Sequence, residues 1–200
     1  MPLDTDTRIA TAVAREAAAR LGQRWLVAPA IAYGASGEHQ SFAGTISVGT
    51  EALTLLLLEY GRSAACWASR LVFVNGHGGN VAALRAAVRR LRAEGRDAGW
   101  FPCAAAGGDA HAGHTETSLL LHLSPAEVRT DRWQAGNGAP LTELLPSMRR
   151  GGVAAVSSVG VLGDPTTATA AEGNRILAEM VDGCVGRVAR WSPQPDGMLT

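Results

Sequence analysis

The chain has 200 residues, 46% of them apolar, and its 18 basic residues balance 18 acidic ones. That is enough to bury a core within one globular domain, and the neutral balance gives no electrostatic attraction to nucleic acid or an anionic membrane. No stretch is apolar for the length of a membrane span, the first residues show no charged region followed by an apolar one so that no signal peptide is expected, and three scattered cysteines without a CxxC pair suit a reduced, cytoplasmic protein.

In chain order, Ile9, Val13, Ala17 and Leu21 recur every four residues between charged positions, which predicts an amphipathic helix over 7–21 stopped by Gly22. Residues 25–28 form a short apolar run before Pro29 and read as a buried strand. The segment 33–49 is a Gly-, Ser- and Thr-rich loop carrying Glu38 and His39, and Thr50 is placed to cap a helix over 51–67. The β-rich run 71–74, the helical period of Val81, Leu84, Val88 and Leu91, and a strand over 97–101 make a βαβ unit of a parallel sheet. A short helix is expected over 116–122, irregular chain over 140–163 and a closing helix over 169–191. The tail 192–200 is expected to be loose or docked on a partner.

The sharpest chemical feature is Asn75-Gly76-His77-Gly78-Gly79-Asn80, which follows a strand, where ligands of open α/β sheets collect. Three readings stand: a phosphate-cradling loop, weakened because no GxGxxG or P-loop lysine is present; a metal-binding or catalytic histidine; and a turn with a surface histidine. A second cluster, Asp109, His111, His114 and Glu116 among glycines, has the donors that a divalent ion takes from several directions, and also reads as a polar surface loop. Glu38 and His39 either line a pocket or are solvated. Asp4 and Asp6 have the positions of carboxylates facing a helix dipole. Three histidine-bearing loops in one small parallel-sheet domain favour a site along one sheet edge. The absence of a GxSxG elbow disfavours serine chemistry.

Several blocks in order resemble the creatininase family: 33–39 with Phe42, Gly44 and Thr45; 74–80; His111-Ala112-Gly113 followed by Glu116-Thr117-Ser118; and Gly163-Asp164-Pro165 followed by Ala168-Thr169-Ala170. The resemblance implies a three-layer αβα fold with a mostly parallel sheet flanked by helices, over 1–200 as a single metallohydrolase domain. It also implies two divalent metals per subunit, zinc, iron or manganese. By motif, His77 would ligate one metal and Glu116 the other. Pro2-Leu3-Asp4-Thr5-Asp6 matches the end of the family's first motif and makes Asp6 the bridging ligand. His111 would be the catalytic acid/base, protonating the leaving amine, with Glu38, His39 and Asp109 as substrate-binding candidates.

Gly79 stands where the creatinine-opening enzymes have a metal-binding glutamate, which counts against creatinine as substrate. The chain is most similar to the branch that removes a C-terminal Val-Tyr dipeptide from a modified precursor peptide. Other amidohydrolase activity, on a cyclic amide or formamide, and a non-catalytic metal-binding role are the alternatives. A homo-oligomer, hexameric by family resemblance, is expected, with neither nucleic acid nor membrane as partner. The Glu-x-His of the first motif does not precede Pro2, so the expectation is that the domain is N-terminally incomplete and that upstream codons encode these ligands.

Overall fold

The computed structural model describes residues 1–200 and divides into two compact units. The first comprises Met1–Thr5, Gly37–Ile46 and Ala104–Met180. The second comprises Asp6–Ser36, Ser47–Cys103 and Val181–Thr200. Six α-helices occur along the chain: α1 Thr5–Leu21, α2 Thr50–Ala64, α3 Val81–Ala93, α4 His114–Leu123, α5 Leu141–Gly151 and α6 Ala170–Arg190. Two strands, β1 Leu71–Asn75 and β2 Ala98–Pro102, pair in parallel with Leu71 opposite Ala98 and Asn75 opposite Pro102. The α/β class expected from the βαβ pattern is thus observed, with α3 as the crossover.

In the second unit the core is built where the sequence periods cross. Leu53 and Leu57 of α2 meet Ala83, Leu84, Ala87, Val88 and Leu91 of α3, and Ala98 and Trp100 of β2 close the cluster. Each buried large apolar side chain contributes about 1.5–3 kcal/mol against exposure. The tail, expected to be loose or docked on a partner, is instead built into this unit. Trp100 N–H donates to the Gly197 carbonyl at 2.9 Å, Leu199 N–H donates to the Trp100 carbonyl at 2.9 Å, and the Leu199 side chain is fully buried. Its apolar Met198-Leu199 pair, inside a polar stretch, supplies the side chains for this docking.

In the first unit, Leu144, Val153 and Leu162 are buried, with Phe42, Met148 and Val156 packed against them. Here the structure departs from the expected irregular 140–163, because α5 lies within it. Pro140 supplies the carbonyl that receives the Glu143 N–H at 2.9 Å, so one proline starts the helix while Pro146 is tolerated inside it. Two other expectations change. Residues 25–28 have no ladder partner, and Leu26 is 77% exposed, so they are extended chain and not a buried strand. Thr50 is the first residue of α2, and its cap position is Gly49.

Candidate active site

Each unit carries its own group of candidate residues. In the second unit, β1 ends at Asn75 and delivers His77 in extended conformation at the head of a short 3-10 turn over Gly78–Asn80. Two asparagine side chains hold this loop. Asn75 Nδ2 donates to the His77 carbonyl at 2.8 Å, and Asn80 Nδ2 donates to Asn75 Oδ1 at 3.2 Å. Asn80 Oδ1 in turn accepts the Ala35 N–H at 2.9 Å, which ties the 33–36 segment to the same frame. Neither asparagine was singled out from sequence as a site residue, although both bracket the histidine in its motif.

Asp6, in the first turn of α1, places its Oδ2 3.1 Å from Nδ1 of His77. The His77 side chain is 13% exposed and its Nε2 is buried. Asp6 therefore orients the imidazole through one nitrogen, as carboxylates do beside functional histidines. The approach depends on Gly76, because a Cβ there would meet the Asp6 carbonyl oxygen at 2.4 Å.

In the first unit, the loop before α4 carries Asp109 and His111. His111 is fixed by an antiparallel bridge to Leu162, whose N–H donates to the His111 carbonyl at 2.8 Å. Its Nδ1 lies 3.7 Å from Glu116 Oε2, and its ring centroid is 4.3 Å from that of His39, tilted by 40°. His39 Nε2 is 3.8 Å from Glu38 Oε1. Four of the expected residues, Glu38, His39, His111 and Glu116, thus form one connected row in which two imidazoles lie between two carboxylates. Glu116 also accepts the Ala112 N–H at 2.6 Å, and Ala112 adopts φ +55° to present it. A non-glycine residue in the left-handed region costs about 1–2 kcal/mol, so the surrounding contacts must outweigh that strain here.

Asp109 does not join this row. Its carboxylate turns onto the backbone at the start of α4, where it accepts N–H groups from His114 and, at 3.0 Å, Thr115. His114, the remaining histidine of the cluster, has its Nδ1 2.8 Å from Thr167 Oγ1. The Gly163-Asp164-Pro165 block also braces α4 nearby. Asp164 Oδ1 accepts the Thr166 N–H at 2.9 Å, and this side-chain and backbone bonding holds its carboxyl below the usual range. Thr169 N–H then donates to the buried Ser118 Oγ at 3.2 Å.

Asp6 with His77 and His111 with Glu116 each pair an imidazole nitrogen with carboxylate oxygens, the donor types that zinc, manganese and iron accept. The donor chemistry fits a divalent ion. The number falls short, since no group of three or more such side chains forms a complete metal cage and a zinc site takes roughly three or four protein donors.

A family model described as creatinine amidohydrolase, Creatininase, matches residues 1–188. The chain belongs to the creatininase family. The mycofactocin precursor peptide peptidase of Mycobacterium tuberculosis is 78% identical to it, over all of this chain and 83% of that protein. Among solved structures, a manganese creatininase superposes with a TM-score of 0.76 at 26% identity, covering 96% of this chain and 84% of that one. A mutant creatininase of Zn-Zn type gives 0.75 at 27% identity over the same shares. The resemblance read from the sequence blocks is borne out, as is the creatininase-like fold. The two solved relatives are metal forms, in keeping with the donor types of the two pairs.

Proposed function

We propose that this chain is a metal-dependent peptidase that removes the C-terminal Val-Tyr dipeptide from the modified mycofactocin precursor peptide. The observation that carries the reading is the 78% identity, across the whole chain, to a mycofactocin precursor peptide peptidase. The His39–His111–Glu116 row adds chemistry suited to breaking an amide bond.

By the family motif, Asp6 and His77 of one unit and Glu116 of the other are the metal-binding candidates, and two ions per subunit are the number that motif supports. When bound, the ion supplies Lewis acidity to the scissile amide and acidifies water. The protein's own groups do the rest. Asp6 holds His77 in one ring orientation. His111 passes a proton to the departing amine, the general-acid work to which an imidazole is suited. His39 stacks on His111 and limits its swing, and with Glu38 it forms a polar wall for the peptide end.

Gly79, in place of a glutamate, further separates this chain from creatinine-opening enzymes. A cytoplasmic location is supported by three free cysteines. No helix is long and apolar enough to cross a membrane. A homo-oligomer, hexameric by family likeness, is supported by exposed Leu55 and Leu56 on α2.

The test is to supply, separately, a precursor peptide ending in Val-Tyr, creatinine and a formamide, and to identify products by mass. Release of free Val-Tyr alone supports the proposal. Turnover of creatinine or the formamide with the peptide left intact overturns it.

A further inference from the structure

We propose that Asp109 is a positioning residue that sets the start of α4, and through it Glu116 and His111, and that it does not bind substrate; this rests on the roles given above to those two residues. The first amides of a helix have no partner within it. The residue at the cap position of α4 is Gly113, which makes no side-chain cap hydrogen bond. Asp109 fills that role from four residues upstream, taking the His114 N–H on Oδ2 and the Thr115 N–H on Oδ1. The contact is reciprocal, since the Asp109 N–H donates to Thr115 Oγ1 at 3.3 Å, as in a capping box.

The space for this carboxylate is built into the chain. A Cβ added at Gly113 or at Gly163 would run into the Asp109 carboxylate, and Gly163 sits at φ +138°, where a side chain would be strained. Gly163 follows Leu162, which holds the backbone of His111 by the antiparallel bridge. One carboxylate therefore bonds the α4 start and packs against the Leu162–Gly163 segment that holds the His111 backbone. Glu116 lies in the first turn of that helix, on the backbone that Asp109 anchors. Both carboxylate oxygens are engaged by backbone amides, so the group has a structural partner on each side.

The experiment compares wild type, Asp109→Ala and Asp109→Asn. The asparagine keeps an acceptor for the Thr115 amide and loses the one for His114, so it remains informative if the alanine variant folds poorly. Amide hydrogen exchange across 112–120 is followed without substrate, zinc affinity is measured by chelator competition, and kcat and KM are measured on a peptide ending in Val-Tyr. Exchange is expected to quicken by roughly fivefold to tenfold in the alanine variant, the loss typical of a helix cap. Zinc affinity is expected to fall by roughly 10–100-fold and kcat to fall with KM little changed, the asparagine variant lying between. Exchange and zinc affinity at wild-type values in both variants would overturn the proposal, as would a rise in KM alone. The first two readouts need no substrate, so they decide the role of Asp109 even if the peptidase reading fails.

Discussion

The Asp6 carboxylate lies 3.1 Å from Nδ1 of His77, and the backbone carbonyl of the same aspartate occupies the place where a side chain on Gly76 would begin. One residue thus makes both the polar contact and the close backbone approach that permits it. Gly76→Ala forces the α1 start away from the β1 loop. It is expected to cost about 1–3 kcal/mol, the usual range for overpacking. Urea unfolding reads this as a lower midpoint at constant slope, and an unchanged midpoint would show that the contact is slack.

Glu94 supplies a pH-dependent element of the second unit. Its carboxylate accepts from Arg62 Nε at 3.0 Å, Arg90 Nε at 2.8 Å and Arg96 Nη1 at 2.6 Å. The Arg62 hydrogen bonds above all lower its pKa from 4.5 to about 2. A depressed carboxylate pKa stabilises the fold in full above the unfolded value of 4.5, and that stabilisation is lost as pH falls towards 2. Glu94→Gln should therefore lower the melting temperature modestly at pH 7, and the gap to wild type should close between these two values. The exposure of the cluster keeps the effect small and salt-sensitive. A gap that stays constant across that window would contradict the assignment.

The three thiols should separate by reactivity. Cys66 is exposed, while Cys184 is buried and Cys103 is half-buried. Burial pushes the Cys103 thiol above its ordinary range and the Cys184 thiol to about 11, so neither offers thiolate near neutral pH. A disulfide reagent at pH 8 should modify one thiol quickly in the native chain and all three in denaturant. The fast phase should vanish in Cys66→Ser. A fast phase that survives this substitution would mean that another thiol is reached.

Much of this was legible in the sequence because its signals are local. The four-residue spacing of Ile9, Val13 and Ala17 specified α1, and the 71–74 run followed by the period of α3 specified the βαβ unit. His77 was marked by its glycines, and His111 and Glu116 by their clustering. The remaining features depend on distant partners. Nothing in Met198-Leu199 names Trp100 as the residue whose backbone they join. Pro146 hides α5, because a helix tolerating an internal proline is decided by how Leu144 packs and not by propensity. Asp109 looked like the other acidic residues of its cluster, and only the missing cap at Gly113 turns it towards the backbone. At residues 25–28 the apolar run carried the strand signal, but an apolar run without a ladder neighbour is only extended chain.

The most direct test of the account is the release of Val-Tyr from the precursor peptide, measured on wild type before chelation, after chelation and after divalent metal is restored, with His77→Ala and Glu116→Ala alongside. Release is expected from the metal-loaded wild type, with none after chelation and recovery on adding metal back, and it should be at least about a hundredfold slower in both variants, the order of loss seen when transition-state stabilisation of roughly 3 kcal/mol is removed. Undiminished release from the metal-free protein, or from either variant, would contradict it.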